Sequence, residues 1–173
     1  MSNTGVFKKY LKPAVIVLLL IWLGIVLSLT VLGRTPSVGN HFQPDFLWSY
    51  KYGYKQGSWF VLQMIENVIM YMPFGFLFPF LLEEKLSGWK LFVITLIAGL
   101  AVSFTTESMQ YLFKIGLFEF DDLFHNGLGI VIGFLIHLVL FMLGVLQMQS
   151  LMVLMNLMIG TTTLGASMVM VLK

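Results

Sequence analysis

Residues 13–32 read PAVIVLLLIWLGIVLSLTVL, a run without a charged side chain. A helix of about 20 apolar residues spans the hydrocarbon core of a bilayer. Lys8, Lys9 and Lys12 precede the run, and Pro13 suits the first turn of a helix, where its missing N–H is not needed. A signal peptide would have a shorter apolar core and small residues at a cleavage site, and neither is found. The stretch predicts an anchored membrane helix.

The rest of the chain shares this apolar character. Of its 173 residues, 58% are hydrophobic and 10% are charged, and the mean hydropathy is +0.91. Soluble domains carry roughly 25% charged residues, so this chain cannot cover a water-facing surface. A net charge of +2, without a basic patch or a glycine-rich phosphate loop, argues against a nucleic-acid partner. The absence of cysteine excludes disulfides and thiolate metal sites.

Further apolar stretches of spanning length lie at about 60–82, 88–111, 122–146 and 150–172, and only the connection 33–59 is long. No internal repeat or linker divides the chain. The prediction is therefore an all-α, polytopic membrane helical bundle of about five helices, forming a single domain over 1–173. Basic residues divide evenly between the two sides, but the lysines before the first span favour a cytoplasmic N-terminus.

Alternation of the spans brings polar residues of three helices to one side of the membrane. The start of the second span, the end of the third and the start of the fourth share that side. Each carries polar residues at helical spacing, which places them on one helix face. We therefore predict a ligand-binding pocket beneath the outer leaflet's headgroups that is formed by Glu66, Asn67, Glu107, Gln110, Tyr111, Asp121, Asp122, His125 and Asn126.

The depth of Glu66 supports a functional interpretation of this pocket. The residue follows Phe60 by six positions, which is about 9 Å at the rise of a helix. A carboxylate at that depth is too costly to face lipid, so we expect it to face protein, water or a ligand. Because acidic residues outnumber cations on this side, some carboxyls should be protonated or bridged by a cation or a cationic ligand.

Structural interpretations of the same residues stay open. Asp121 or Asp122 could cap the N-terminus of the fourth span, since carboxylates there bind free N–H groups and suit the helix dipole. Glu107 and Gln110 could form a structural hydrogen-bonded pair between helices. His125 is equally suited to a structural interfacial role and to proton relay. A further histidine, His137, stands alone in an apolar run and is predicted to be structural.

Proline and glycine residues mark two packing features. Pro73 and Gly75, followed by Pro79, predict a bend in the second span. Gly129 and Gly133 lie one helical turn apart and permit close approach of another helix, a structural role without a ligand.

The long connection is rich in aromatic residues at 48–59, namely Trp48, Tyr50, Tyr52, Tyr54 and Trp59. Tyrosine and tryptophan favour the membrane–water boundary, which predicts an interfacial anchor. The functional alternative is a lid over the polar pocket that contacts a sugar or lipid headgroup.

Two segments together resemble the signatures of the VanZ-like membrane protein family. ENVIMYMPFGFLFPF (66–80) has an Asn followed by a Pro–x–Gly turn. ESMQYLFKIGLFEFDDLFHNGLGIVIGFLI (107–136) has Glu–x–x–Gln, then Asp, Asn–x–x–Gly and a further Gly. Members often carry an Arg shortly before the Asp, where this chain has Gly116 or Leu117, with Lys114 as the closest cation. The resemblance covers about 60–145 and carries over Asn67, Pro73, Gly75, Glu107, Gln110, Asp122, Asn126, Gly129 and Gly133.

That family is associated with low-level resistance to glycopeptide antibiotics of the teicoplanin type. The resemblance implies a protein of the bacterial plasma membrane whose outward pocket binds membrane lipid and a lipid-linked cell-wall component or the lipoglycopeptide itself. We expect no enzymatic reaction, cofactor or metal site. One alternative is an intramembrane enzyme acting on a lipid-linked cell-wall substrate by carboxylate acid–base chemistry or through Mg²⁺ or Ca²⁺. Another is a small transporter, which the one-sided polarity favours less. The oligomeric state is left open.

Overall fold

The computed structural model of the protein describes residues 3–35, 42–52, 55 and 58–143. Four helices of this part are long and apolar enough to cross a membrane: Leu11–Leu32, Phe60–Leu82, Gly88–Leu112 and Phe120–Met142. They confirm the prediction of an all-α membrane bundle. The fourth span begins at Phe120 and ends at Met142, a little before the predicted bounds of 122 and 146. The fifth predicted span, at 150–172, lies outside the described residues.

The elements follow one another as long helices joined by short connections. A π-helical turn at Ser28–Leu32 continues the first helix. In chain order the elements are α1 (Asn3–Leu27), β1 (Phe42–Gln43), α2 (Trp48–Lys51), α3 (Ser58–Leu77), α4 (Pro79–Leu82), α5 (Gly88–Leu112), β2 (Phe118–Glu119) and α6 (Phe120–Met142). The two short strands pair in parallel, Phe42 with Phe118 and Gln43 with Glu119, which ties the long connection to the start of α6.

The most extensive helix contact joins α3 and α6, and glycines lie along it. A methyl group on Gly129 would stand 2.2 Å from the carbonyl oxygen of Val68, and one on Gly133 would stand 2.1 Å from that of Met72. Such distances are far inside van der Waals contact, so the two backbones meet where only glycine fits. The residue type at these positions therefore sets the spacing of the helix pair.

Gly75 has the same close-approach role on the facing helix. A methyl group there would lie 2.0 Å from the carbonyl oxygen of Ile130. The helix continues through Pro73 as far as Leu77. It is interrupted at Phe78, where Pro79, the last residue of the predicted bend, opens the next short helix as a first-turn proline.

α1 packs on α3 through two groups of buried apolar side chains. One group is Val15, Phe76, Leu77 and Phe80, and the other is Trp22, Val26, Tyr71, Phe74 and Ile130. The indole Nε1–H of Trp22 also donates a 2.7 Å hydrogen bond to the carbonyl oxygen of Met70, just before Pro73. The carbonyl that Pro73 deprives of its helical donor is that of Ile69, one residue earlier, so this bond is an additional link between α1 and α3. These contacts fix the three helices on which the polar residues stand.

Candidate functional site

The start of α3, the end of α5 and the start of α6 come together at one end of the bundle. Polar side chains of all three helices collect there, joined by Arg34 from the end of the first span and by Glu119. Six of the sequence-predicted residues are buried, none more than 9% exposed. The polar cluster, as we call this group, consists of Arg34, Asn67, Glu107, Gln110, Glu119, Asp121, Asp122, His125 and Asn126.

Two amide side chains connect the helices across the polar cluster. Nδ2 of Asn67 on α3 donates to Oδ1 of Asp122 on α6 over 2.7 Å. Nδ2 of Asn126, one turn further along α6, donates to the hydroxyl oxygen of Ser103 on α5 over 2.8 Å. The Asp and Asn of the second motif thus contact different neighbours, and α6 is the central element of the site.

Asp121 does not cap the helix that carries it. Its Oδ1 accepts the backbone N–H of Leu47 over 2.5 Å, and its Oδ2 accepts that of Ser49 over 2.7 Å. Glu119, the residue at the N-cap position of α6, makes no side-chain capping bond within the described structure. The capping interpretation is therefore wrong for Asp121, whose carboxylate holds the long connection instead. Asp122 likewise bonds to another helix, as described above.

The connection forms a cover over the polar cluster through residues 42–51, which we call the covering segment. The hydroxyl of Tyr50 lies 2.8 Å from Nε2 of His125, and the two rings stack. The ring of Phe46 packs edge-on against Phe124 at a centroid distance of 5.5 Å. The aromatic residues thus do more than anchor a loop at the interface, because they attach the covering segment to α6 at several points.

Arg34 is the site residue that sequence reasoning did not find. Its Nη1 donates to Oε1 of Gln110 over 3.1 Å. The guanidinium also offsets the charges of three carboxyls of the cluster, namely those of Glu107, Glu119 and Asp122. The second motif lacks the Arg that family members often have before the Asp, and the single Arg of this chain reaches the same region from the first span.

Gly116 makes room for that arginine. A methyl group on it would stand 2.8 Å from Nη1 of Arg34 and 2.8 Å from Oε1 of Gln110. Gly116, one of the two residues near the expected basic position, thus lies against a basic side chain that comes from elsewhere in the chain. Lys114, which the sequence suggested as the nearest cation, is exposed and has a left-handed backbone conformation.

The remaining predicted residues lie at the same end of the bundle but nearer its surface. Glu66 is half-buried on α3, beside Asn67 in the chain, and Tyr111 is half-buried near the end of α5. The three helices therefore bring together the residue groups that alternation of the spans predicts. A binding pocket requires in addition unfilled space and polar atoms without a partner in the protein.

Three buried atoms of the polar cluster have no hydrogen-bond partner within the described part of the chain: Oε2 of Glu107, Nδ1 of His125 and Oδ1 of Asn126. The two oxygens are acceptors. A buried polar atom without a hydrogen bond destabilises the fold by roughly 1–3 kcal/mol, so such atoms call for an explanation. A ligand that carries hydrogen-bond donors would satisfy both acceptors.

An apolar cavity adjoins the cluster between α3 and α6. It has a volume of about 280 Å³ and is lined by hydrocarbon side chains, apart from Tyr50 and His125 at one wall. The apolar walls come from Val61, Met64, Ile65, Val68, Ile69 and Leu128. His125 is thus the member of the polar cluster that lines this cavity, beside the hydroxyl of Tyr50.

The carboxyls of the cluster do not converge as metal ligands do. Among the residues that the structure describes, no group of three or more His, Asp or Glu side chains is placed to hold a metal ion. Oxygen ligands for Mg²⁺ or Ca²⁺ must surround the ion at about 2.0–2.6 Å.

Glu119 lies just before α6, outside the membrane spans. Burial is the main cause that raises the pKa of this carboxyl, and the charge of Asp121 raises it further, whereas Arg34 acts in the opposite direction. A carboxyl whose pKa is raised by folding binds its proton more tightly in the folded state. Its contribution to stability is therefore full at low pH and is lost as the pH rises from the ordinary carboxyl pKa through the raised one.

Replacement of Glu119 by Gln should flatten this pH dependence. We expect Glu119→Gln to melt at a higher temperature than the parent at neutral pH and at the same temperature below the ordinary carboxyl pKa. Thermal unfolding in detergent micelles between about pH 4 and pH 8 measures this difference. The exposed Asp45→Asn serves as the control. A parent-like melting curve of Glu119→Gln at every pH would contradict the burial argument.

Fold and site together define a multi-pass helical membrane protein with a buried polar cluster at one end of its bundle. The profile of the VanZ/LLP1 family matches residues 14–143, which is most of the chain. The protein belongs to that family and is a VanZ-type membrane protein. Comparisons with curated proteins and with solved structures give no match.

Proposed function

We propose that this protein contributes to resistance against glycopeptides of the teicoplanin type. It lies in the bacterial plasma membrane with its N-terminus in the cytoplasm, so that the polar cluster faces outward. There it binds an amphiphile, either a lipid-linked cell-wall component or the drug with its acyl tail. One observation carries the proposal: a hydrocarbon-lined cavity meets the polar cluster at His125, and the cluster holds buried acceptors without donors at Glu107 and Asn126.

The two halves of the site suit the two halves of such a ligand. An alkyl chain gains from apolar walls, and the cavity of about 280 Å³ lies within the spans where such a chain arrives by lateral diffusion. Donor groups of a peptide, sugar or ammonium headgroup would meet the acceptors of Glu107 and Asn126. The polar cluster contains more carboxyl groups than its one cation, Arg34, can balance. This excess favours a neutral or cationic headgroup over an anionic one.

Filling the cavity tests the proposal without altering the polar cluster. Ile65 lines the cavity, yet it is 48% exposed, so tryptophan can be placed there without disturbing the core. We expect Ile65→Trp to remove the resistance that the parent confers on a susceptible strain, measured as the inhibitory concentration of teicoplanin. The matched control is Ile97→Trp, which adds the same side chain at a 62% exposed position of α5 that lines neither described cavity.

The outcome separates binding of the acyl tail from other roles. If the drug itself is the ligand, neither variant should change the inhibitory concentration of a glycopeptide that has no acyl chain. Equal loss of resistance to both glycopeptides would indicate a cell-wall component as the ligand. Full resistance to teicoplanin in Ile65→Trp, with normal protein in the membrane, would exclude the cavity from the function.

A second candidate is an intramembrane enzyme acting on a lipid-linked cell-wall substrate. The unpaired Oε2 of Glu107 favours it, because a general base needs a free oxygen near the proton that it removes. To test this, purified protein is incubated with lipid-linked precursor, with and without EDTA. If the protein is an enzyme, mass spectrometry should detect a new product. Loss of that product in Glu107→Gln would support catalysis, and absence of any product favours the binding role.

A further inference from the structure

A second and larger cavity lies at the opposite end of the bundle. Its volume is about 520 Å³, and it is bounded by the turn after α4, the start of α5 and the end of α6. The ion pair of Lys12 with Glu84 lies at this end, where the helices leave the membrane. The walls are almost wholly apolar, with Leu135 and Leu138 on α6 facing outward, half exposed.

His137 lines this cavity as a deeply buried polar residue, 3% exposed. Its Nε2 faces Oε2 of Glu83 at 3.5 Å. Nδ1 of His137 and Oε2 of Glu83 are buried without a hydrogen-bond partner among the described residues. The nearest aromatic ring, that of Phe80, lies edge-on at 4.5 Å between centroids. The sequence predicts a structural role for His137, and a structural role gives no partner to its buried Nδ1.

The entrance of the cavity offers hydrogen-bond donors, whereas Glu83 and His137 offer acceptors. Ser87, Gly88 and Trp89 line it where α5 begins. Ser87 occupies the N-cap position and makes no side-chain capping bond in the described structure. Free backbone N–H groups at the start of a long helix favour an anion such as a phosphate. Trp89 is 71% exposed beside them, a position typical of an aromatic side chain at the membrane interface.

We propose that this cavity binds one molecule of a zwitterionic aminophospholipid, of the phosphatidylethanolamine type. An acyl chain fills the apolar walls, the phosphate lies at the start of α5, and the primary ammonium donates to Glu83 and His137. A primary ammonium fits better than choline, since the unpaired acceptors need N–H donors that a quaternary ammonium lacks. The glycerol headgroup of phosphatidylglycerol offers hydroxyl donors, but its net negative charge is unfavourable beside the carboxyl of Glu83, which an ammonium would offset.

Native mass spectrometry of the purified full-length protein tests this site with defined lipids. Phosphatidylethanolamine, phosphatidylcholine and phosphatidylglycerol with the same acyl chains are titrated separately. We expect one molecule of the ethanolamine lipid to be retained, about tenfold more tightly than either of the others, as the loss of one charge-assisted hydrogen bond implies. Equal retention of the three lipids, retention of none, or preference for phosphatidylglycerol would overturn the proposal.

Two variants locate the headgroup and the chain. Glu83→Gln should weaken binding of the ethanolamine lipid about tenfold, whereas its neighbour Glu84→Gln, which is exposed and does not line the cavity, should leave binding unchanged. Leu135→Trp places a large ring in the cavity from a half-exposed position and should reduce binding. Parent-like binding in Glu83→Gln, or in Leu135→Trp if Glu83→Gln does not fold, would overturn the proposal.

Discussion

Replacing Gly75 by alanine is expected to destabilise the protein by about 3 kcal/mol or more. The added methyl group would lie 2.0 Å from the carbonyl oxygen of Ile130, which is wholly buried. A backbone oxygen cannot rotate away as the end of a side chain can, so α3 and α6 must move apart along their whole contact. That movement would also weaken the approach at Gly129 and Gly133, and with it the hydrogen bond that joins the two helices within the polar cluster.

Thermal unfolding in detergent micelles measures the loss, and Gly24→Ala is the matched control. Gly24 lies in α1, and no described atom stands within 4 Å of a methyl group placed there. Alanine favours a helix over glycine by about 1 kcal/mol, so the control should melt at the parent temperature or above it. Gly75→Ala melting as high as Gly24→Ala would show that the helices are not in close backbone contact at this position.

The sequence predicts those features of the molecule that depend on local pattern. Runs of apolar residues predict four spans that the structure describes, because a bilayer imposes length and hydropathy on each helix separately. Alternation of direction then predicts that Asn67, Glu107 and Asp122 share one end of the bundle. The tight approach at Gly129 and Gly133 follows from spacing along one helix, although the partner of these glycines is not visible in the sequence.

Arg34 and the covering segment depend on contacts between distant parts of the chain. Arg34 stands 76 positions before its hydrogen-bond partner Gln110, and no periodicity relates the two. Asp121 accepts hydrogen bonds from the backbone N–H groups of Leu47 and Ser49. Every residue except proline has such a group, so the sequence does not indicate which residues Asp121 contacts. The sequence does show that Arg34 is the only arginine and that it lies just after the first span, and this was the available sign of its role in the site.

Asp121→Asn should release the covering segment from the polar cluster. Both carboxylate oxygens accept a backbone N–H, one from Leu47 and one from Ser49. An asparagine side chain has one oxygen, so its NH₂ group would face a donor and one amide would lose its acceptor. The loss of a hydrogen bond to a charged acceptor corresponds to about 2 kcal/mol, or roughly thirtyfold faster hydrogen exchange where the opening of the segment governs exchange.

Hydrogen–deuterium exchange of the peptide that contains residues 46–51 measures this release. The matched control is Asp122→Asn, which makes the same substitution at the adjacent residue of α6. Asp122 accepts from Nδ2 of Asn67, and the Oδ1 that an asparagine keeps can still do so, while the amides of Leu47 and Ser49 are untouched. Equal acceleration in both variants would mean that charge, rather than the paired hydrogen bonds, holds the covering segment. Faster exchange in Asp121→Asn alone would show that its carboxylate holds the covering segment beyond what the contacts of Tyr50 with His125 and of Phe46 with Phe124 contribute.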